Sequence, residues 1–246
     1  MRLFGLIGYP LSHSFSKKYF TEKFEREGLS DCRYELFPIA SIDELPQLLR
    51  SNPDLCGLNV TIPYKEQVLP FLDEEAEVVR KIRASNCILI ENGKLKGNNT
   101  DVTGFERALE EFLQPHHTKA LILGTGGAAK AVEYVLEKRG IAFNYVSRKS
   151  SAHTLSYEQV TPDVIGEHTL IINSTPLGMY PHTDEAPPIP YESLTSSHYL
   201  FDLIYNPQKT LFLQKGEDKG AAIKNGSEML IIQADESWRI WNSVHS

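Results

Sequence analysis

The sequence has few cysteines, no long hydrophobic run and no excess of positive charge. Cys32, Cys56 and Cys87 are scattered and no CxxC pair occurs, which argues against a disulfide framework or a zinc site and agrees with a reducing compartment. No apolar run reaches the length that crosses a bilayer. The net charge of −7 opposes a bulk electrostatic grip on nucleic acid. We therefore expect a cytoplasmic protein with no bound metal and with neither a membrane nor a nucleic acid as its partner.

The composition is typical of a globular protein, with 41% hydrophobic and 23% charged residues, and 246 residues suit one large domain or two modest ones. Short apolar runs alternate with amphipathic stretches, a pattern that predicts an α/β fold with mostly parallel sheets. The predicted strands are 2–8, 34–39, 55–62, 86–90, 94–97, 119–123, 143–146, 169–173 and 199–204. The predicted helices are 17–27, 43–49, 74–82, 103–113, 128–139, 210–218 and 228–242.

Three local signals locate turns and a domain boundary. Ser41 followed by Glu44 predicts a capped helix start. Asn92-Gly93 predicts a tight hairpin turn between two strands. The connection 114–118 is short and polar, so we place a domain boundary near residues 100–118.

A glycine-rich turn joins the strand 119–123 to the following helix. Gly124 permits a tight turn, Gly126 lets the backbone approach a pyrophosphate, and Ala129 lets helix and strand pack closely. The helix start would offer free N–H groups to a phosphate. A G-x-G turn alone is also found in ordinary strand–helix connections, but the strand before it and the helix after it favour dinucleotide binding.

The end of the next strand indicates which dinucleotide would bind. An NAD site usually has an acidic residue there, which holds the ribose 2′-hydroxyl. This strand ends instead in Ser147-Arg148-Lys149. Two cations would attract a 2′-phosphate, and Arg148 can hold it with two hydrogen bonds, so the pattern favours NADP. The alternative is a pair of solvated charges on a loop.

The first half contains polar clusters after its strands. The hydroxyls of the 12–16 segment suit a carboxylate or sugar-like ligand, or simply cap the next helix, and we assign no catalytic role to His13. Asn59 and Thr61 share one side of a strand end, and Lys65 follows where its amine can transfer protons. Asp101 either caps a helix or pairs with Lys65.

The motifs together are more specific than any one of them. They are His13-Ser14-Phe15-Ser16, the 59–65 segment, Ser85-Asn86, Asn99-Thr100-Asp101 with Gly104, the 124–128 turn, the 173–179 and 202–207 segments, and Gly226 with Met229-Leu230 and Gln233. In this order, across nearly the whole chain, the set resembles the shikimate dehydrogenase family, whose members reduce 3-dehydroshikimate with NADPH in aromatic amino acid (chorismate) biosynthesis.

The resemblance implies a two-domain α/β fold. A substrate domain would comprise residues 1–101 completed by the C-terminal helix at 227–246, and a Rossmann-type NADP domain would comprise 102–226. Along that helix, Leu230, Ala234, Trp238 and Trp241 form an apolar stripe that predicts core packing. The substrate would be shikimate or 3-dehydroshikimate, and the protein a monomer or homodimer.

The resemblance also implies a role for each site residue. Lys65 and Asp101 would be the catalytic pair beside the carbonyl. The substrate would be bound by Ser14, Ser16, Asn59, Thr61, Asn86, Tyr205 and Gln233. The cofactor would be bound by Gly124, Thr125, Gly126, Gly127, Ala128, Ser147, Arg148, Lys149, Thr175, Ile204, Gly226 and Met229.

The chain departs from the family pattern at a few positions. Lys17 stands where the family usually has proline, Ser227-Glu228 precede Met229, and Ser147-Arg148-Lys149 replaces Asn-Arg-Thr. Three alternatives stay open: a quinate/shikimate dehydrogenase with relaxed cofactor choice, a non-catalytic ligand sensor on the same scaffold, and a structural interaction module. A sensor need not keep both Lys65 and Asp101, and the polar strand ends disfavour the module.

Overall fold

The computed structural model describes residues 1–11 and 15–243, which fold into two compact α/β units. The first unit is Met1–Thr100 together with the chain from Ala234 onward, and the second is Asp101–Gln233. Each unit has its own six-stranded sheet. The chain passes between the units at 100/101 and 233/234, whereas the sequence predicts passages at 101/102 and 226/227.

The first unit contains a mixed sheet. Its strands are β1 (Arg2–Gly8), β2 (Cys32–Pro38), β3 (Leu55–Val60), β4 (Glu74–Glu75), β5 (Cys87–Glu91) and β6 (Lys94–Asn98). Their order is β2-β1-β3-β5-β6-β4, with β5 antiparallel to both of its neighbours. The helices are α1 (Phe15–Arg26), α2 (Leu45–Ser51), α3 (Tyr64–Gln67) and α4 (Glu77–Ile82).

Two local predictions for this unit are confirmed. Asn92 and Gly93 both have positive φ angles, 51° and 75°, and close the β5–β6 hairpin. Ser41 and Glu44 form the capping box, in which the Ser41 N–H donates to Glu44 Oε1 at 2.9 Å. The predicted helix 74–82 is wrong at its start, because Glu74–Glu75 pair with β6 and the helix begins only at Glu77.

The second unit contains a fully parallel sheet. Its strands are β7 (Lys119–Leu123), β8 (Ala142–Ser147), β9 (Thr154–Ser156), β10 (Leu170–Asn173), β11 (Tyr199–Asp202) and β12 (Ala222–Lys224), in the order β12-β11-β10-β7-β8-β9. Helices α6 (Gly127–Lys138), α7 (Pro162–Glu167) and α8 (Leu211–Glu217) connect them. Because the strands are parallel, their carboxyl ends lie at one edge of the sheet.

Two further helices contain the boundaries between the units. Helix α5 (Thr100–Leu109) begins three residues before the predicted 103, and α9 (Ser227–Trp241) is the last helix. Of the predicted α9 stripe, Ala234 and Trp241 are buried, whereas Leu230 and Trp238 are half-buried. Trp241 stacks on Phe4 with ring centroids 4.9 Å apart, so the end of α9 completes the core of the first unit.

Among residues 1–11 and 15–243, no helix is long and apolar enough to cross a membrane. Within the same described residues, no group of three or more His, Cys, Asp or Glu side chains is placed to hold a metal ion.

Candidate functional site

A cavity of about 360 Å³ opens where β7, β8 and β10 end in the second unit. Its lining is Gly124, Thr125, Gly126, Ser147, Arg148, Tyr157, Ser174, Thr175, Pro176 and Leu177. Six of these ten are residues that the sequence predicts for the cofactor: Gly124, Thr125, Gly126, Ser147, Arg148 and Thr175. The carboxyl end of a parallel sheet is the usual ligand site of such folds.

Four lining residues carry no role in the sequence prediction. Ser174, Pro176 and Leu177 lie within the 173–179 motif that supports the family resemblance, so the sequence contained a signal for them. Tyr157 lies outside every motif, and only the fold brings it to the cavity. Burial raises the pKa of the Tyr157 phenol, and the positive charge of Arg148 opposes that shift.

Gly124 is required by the protein itself. Its φ of +102° lies in the left-handed region, and its N–H donates to the Val146 carbonyl at 2.8 Å. A Cβ at this position would lie 2.8 Å from Ser174 Oγ and 3.0 Å from Thr175 Cγ2. The tight turn and the close approach of the Ser174 and Thr175 side chains therefore both depend on glycine.

Gly126 is different, because nothing in the protein demands a glycine there. Its φ of −79° and ψ of −179° are accessible to any residue, and a Cβ would meet no protein atom within 4 Å. Gly126 itself lines the cavity and directly precedes the first N–H groups of α6. A pyrophosphate approaching the backbone explains this empty space, so the turn fits a dinucleotide.

The positive end of the cavity is formed by Arg148. None of the described residues that line this cavity is acidic, so its lining offers no carboxylate to repel a 2′-phosphate. Asp184, Glu185 and Glu192 line a neighbouring cavity that also includes Arg148. Arg148 is exposed and extends from the end of β8, whereas Lys149 is exposed but lies outside the lining. The charge of the site therefore fits NADP.

The loop of residues 173–177, which we call the cofactor loop, is held by its own side chains. Asn173 Oδ1 accepts hydrogen bonds from the Thr175 N–H at 3.0 Å and from Thr175 Oγ1 at 2.7 Å. The Leu177 N–H donates to Thr175 Oγ1 at 3.3 Å. Ser174 Oγ donates to the Leu123 carbonyl at 2.7 Å, which holds the loop against the end of β7.

A buried carboxylate lies behind the cofactor loop. Asp202 is fully buried at the end of β11 and accepts from Thr210 Oγ1 at 2.5 Å, the Ile204 N–H at 3.0 Å and Asn173 Nδ2 at 3.1 Å. Burial raises the pKa of Asp202 to about 6, and these hydrogen bonds oppose the shift. Asp202 belongs to a quoted motif, but the sequence prediction gave it no role.

The other predicted cofactor residues lie outside the cavity lining. Gly127 and Ala128 begin α6. Ile204 and Met229 are buried, and the Gly226 N–H donates to the Ile204 carbonyl at 3.0 Å. The structure thus links Ile204 with Gly226 and leaves their contact with a cofactor a prediction.

The predicted substrate residues of the first unit belong to a buried hydrogen-bond network. Asn59, at 5% exposure, accepts on Oδ1 from the Tyr34 hydroxyl at 2.9 Å. Its Nδ2 donates to Ser237 Oγ at 2.9 Å and to the Asn86 carbonyl at 3.4 Å. Tyr34 also hydrogen-bonds the side chain of Ser16; its burial raises the phenol pKa, and this bond opposes the rise.

Asn86 continues the network towards Thr100. Its Oδ1 accepts from the Thr100 N–H at 2.7 Å, and its Nδ2 donates to Thr100 Oγ1 at 3.1 Å. Thr100 Oγ1 and Ser237 Oγ lie 3.2 Å apart, which closes the network between the two asparagines. Asn59 thus contacts Asn86 and Ser237, which lie far from it in the chain, so sequence patterns do not reveal these contacts.

Lys65 and Thr61 lie just beyond the end of β3. The sequence places Lys65 after a short turn, and the structure places it half-buried in the single turn of α3. The Lys65 carbonyl accepts from the Ser85 N–H at 2.8 Å, immediately before Asn86, and the Thr61 carbonyl accepts from the Tyr64 N–H at 2.9 Å. The first unit thus brings Thr61, Lys65 and Asn86 to the same strand end.

The remaining predicted residues belong to the second unit or are not described. Ser14 lies outside the described residues. Asp101 is buried in the first turn of α5, directly after Thr100. Gln233 is buried on α9 and donates to the Leu230 carbonyl at 3.0 Å, whereas Tyr205 is 41% exposed.

Comparison with known proteins supports the reading of both units. A family model described as the shikimate dehydrogenase substrate binding domain matches residues 6–88. A shikimate dehydrogenase (NADP(+)) from Caldicellulosiruptor saccharolyticus is 36% identical over 262 residues, covering 99% of this chain and 93% of that protein.

Solved structures agree along the whole chain. The chorismate mutase/shikimate 5-dehydrogenase fusion protein from Clostridium acetobutylicum matches with a TM-score of 0.88 and 35% identity, covering 98% of this chain and 91% of that one. Shikimate 5-dehydrogenase from Thermus thermophilus, in complex with NADP(H) and shikimate, matches with a TM-score of 0.86 and 30% identity, covering 98% and 93%. The resemblance and the α/β fold class predicted from the sequence are confirmed: this chain belongs to the shikimate dehydrogenase family.

Proposed function

We propose that this chain is an NADP-dependent shikimate dehydrogenase that reversibly reduces 3-dehydroshikimate to shikimate in aromatic amino acid biosynthesis. The observation that carries the proposal is the cavity beside β7: its Gly126 leaves space that the protein does not need, and its charged end is Arg148 without an acid. Membership of the family over 99% of the chain gives the substrate class.

The second unit binds the cofactor. The N–H groups at the start of α6 face the pyrophosphate, and Arg148, assisted by Lys149, binds the 2′-phosphate. Thr175 contacts the cofactor from the loop that closes the cavity, and Ile204, Gly226 and Met229 contact it beyond the lining. When bound, NADPH supplies the hydride that reduces the ring ketone.

The proton is supplied by the protein. Protonated Lys65 donates to the substrate oxygen as that oxygen becomes an alkoxide, and neutral Lys65 accepts the proton in the reverse reaction. Asp101 orients the Lys65 ammonium and the neighbouring substrate hydroxyl. The amine needs this orientation because a proton donor acts only within hydrogen-bond distance of the reacting oxygen.

The substrate is held by hydroxyl and amide groups. Ser14 and Ser16 bind its carboxylate, while Thr61, Asn86, Tyr205 and Gln233 bind its ring hydroxyls or reacting oxygen. Asn59 acts differently from a simple ligand: both of its amide hydrogens are donated within the protein, which leaves one acceptor position on Oδ1. We assign Asn59 mainly to holding Tyr34 and Asn86 in place. A substrate analogue that lacks a hydroxyl would leave such polar groups unpaired and would bind weakly.

Cellular location and oligomeric state complete the proposal. The three scattered cysteines favour a reducing compartment and support a cytoplasmic enzyme. The working form is a monomer or a homodimer, which sedimentation of the purified protein would distinguish.

The test uses purified protein mixed with shikimate and NADP⁺, with absorbance of the reduced nicotinamide as the signal. We expect NADP⁺ to be reduced faster than NAD⁺ when shikimate is the substrate. We also expect shikimate to be oxidised faster than quinate. If quinate is oxidised as fast as shikimate, and with NAD⁺ as fast as with NADP⁺, the result would support the quinate/shikimate dehydrogenase with relaxed cofactor choice instead. Binding of shikimate without any turnover would contradict the enzyme and favour a ligand sensor.

A further inference from the structure

Hydrogen bonds connect Thr175 of the cofactor loop, through Asn173, to the buried carboxylate of Asp202. The proposed mechanism gives this carboxylate no role. We propose that Asp202 is a positioning residue for NADP(H), which acts by fixing the orientation of Asn173 and thereby the position of Thr175 on the wall of the cavity. This inference rests on the proposed function, because it concerns binding of the cofactor that the function requires.

Both oxygens of the Asp202 carboxylate accept hydrogen bonds. Oδ2 accepts from Thr210, and Oδ1 accepts from the Ile204 N–H and from Asn173 Nδ2. Within the described part of the chain, no cationic side chain forms an ion pair with Asp202. A fully buried carboxylate without a counter-ion is costly, so its hydrogen bonds are needed to keep it there.

The Asp202 carboxylate determines the orientation of the Asn173 amide. A carboxylate offers only acceptors, so Asn173 must present its Nδ2 to Asp202 and therefore its Oδ1 to the other side. That oxygen accepts both the N–H and the hydroxyl of Thr175. A flipped amide would turn its NH₂ group towards the Thr175 N–H, so that bond would be lost, and the Thr175 hydroxyl would have to turn from donor to acceptor.

Thr175 lies on the wall of the cavity, against the glycine turn. With its proton donated to Asn173, the Thr175 hydroxyl oxygen accepts from the Leu177 N–H, so the loop is folded back on itself. Its Cγ2 lies 3.0 Å from the position that a Cβ of Gly124 would occupy, directly against the glycine turn. Thr175, Leu177 and Gly124 all line the cavity, so displacement of the loop changes the surface that meets the cofactor.

A simpler role must be distinguished from this one. Thr210 also caps α8, because its Oγ1 accepts from the Leu213 N–H at 3.4 Å. Asp202 could then serve only to anchor the start of α8. An anchoring role predicts lower stability in variants but unchanged affinity for the cofactor, whereas positioning predicts weaker binding of the cofactor.

The main variant is Asp202→Asn, which keeps the shape, removes the negative charge and replaces one acceptor oxygen by an NH₂ donor. We expect the Kd for NADPH, measured by nicotinamide fluorescence, to rise about tenfold, the loss expected for one charge-assisted hydrogen bond that fixes the loop. The KM for NADP⁺ should rise in parallel, while kcat and the KM for shikimate stay within about twofold. The ratio of NADPH to NADH affinity should stay unchanged, because Arg148 is not altered.

A pair of threonines provides a matched control. Thr210→Val removes the bond to Asp202, and Thr161→Val removes the equivalent cap of α7, where Thr161 Oγ1 accepts from the Val164 N–H at 3.4 Å. We expect weaker NADPH binding only for Thr210→Val, and recovery in Thr210→Ser, which restores the hydroxyl. If Asp202→Asn fails to fold, this pair carries the test.

Unchanged NADPH affinity in Asp202→Asn and Thr210→Val, with lower melting temperatures, would overturn the proposal in favour of an anchor for α8. Equal weakening in Thr161→Val would overturn it as well. A wild-type protein that binds NADPH but does not oxidise shikimate would contradict the proposed reaction, while the comparison of NADPH affinities would still decide the role of Asp202.

Discussion

Replacement of Gly126 by alanine should separate cofactor binding from stability. The backbone of Gly126 is extended, with φ −79° and ψ −179°, and an added Cβ would meet no protein atom within 4 Å. The folded protein therefore accepts the methyl group without strain. The same methyl group would occupy the space at the cavity where we expect the pyrophosphate to approach the backbone.

The effects on stability and on cofactor binding differ in size. Gly→Ala at a compatible backbone position stabilises a protein by about 0.4–1 kcal/mol, because the unfolded chain loses conformational freedom. Gly126 is also the N-cap of α6, where glycine is preferred over alanine by a similar free energy, so these two contributions to stability oppose each other. Displacement of the pyrophosphate costs at least one hydrogen bond to a charged group, about 1.5–3 kcal/mol. We therefore expect a nearly unchanged free energy of unfolding and an NADPH Kd that is about tenfold to a hundredfold higher.

The assay pairs urea unfolding with NADPH fluorescence titration. Gly166→Ala is the control, because a Cβ at Gly166 in α7 also meets nothing within 4 Å but Gly166 does not line the cavity. We expect this control to keep its NADPH affinity. An unchanged NADPH Kd in Gly126→Ala would refute the argument that the empty space belongs to the cofactor, and a large loss of stability would refute the structural basis for it.

Three further outcomes are expected. Lys65→Ala should lower kcat by roughly a hundredfold or more while the NADPH Kd stays unchanged, so unaltered turnover would contradict its role as proton donor. Arg148→Ala should weaken NADPH far more than NADH in fluorescence titrations, and equal weakening would remove the 2′-phosphate argument. Burial, together with the neighbouring His116, lowers the pKa of His117 below its ordinary 6.5. As the pH falls, His117 is therefore protonated in the unfolded chain before it is protonated in the folded one. The urea midpoint should fall as the pH drops below about 6.5. His117→Gln should reduce this fall between pH about 7.5 and about 5.5, and an identical pH dependence would show that His117 does not contribute.

Elements with a strong local signal were predictable from the sequence. The bounds of β1 and β7 agree residue for residue, because each is a continuous apolar run between clear breaks. The Ser41–Glu44 cap and the Asn92-Gly93 turn agree because their hydrogen bonds and φ angles are local. Gly124, Gly126 and Arg148 line one cavity, since a strand–turn–helix unit places them without reference to distant residues, and their contact with a cofactor stays a prediction.

Other elements had no local signal. Strands β9 and β12 are three residues long and are defined only by the strands beside them. Tyr157 reaches the cavity through the fold of the second unit and lies in no motif. The stripe of α9 packs into the core as predicted at Ala234 and Trp241. Burial of polar Ser237 beside them follows from its hydrogen bond to Asn59, a partner from elsewhere in the chain.

Local patterns along the sequence were enough to identify the class of fold and the family, and to propose the side chains that carry the chemistry, because backbone geometry and motif spacing are local properties. Two things depended on the folded molecule: the Asn59–Ser237–Thr100–Asn86 network and the support of Thr175 by Asp202. Each depends on hydrogen bonds between residues that are distant in sequence, Asn59 with Ser237 and Asn173 with Asp202, and burial gives these bonds their strength by removing the competing water.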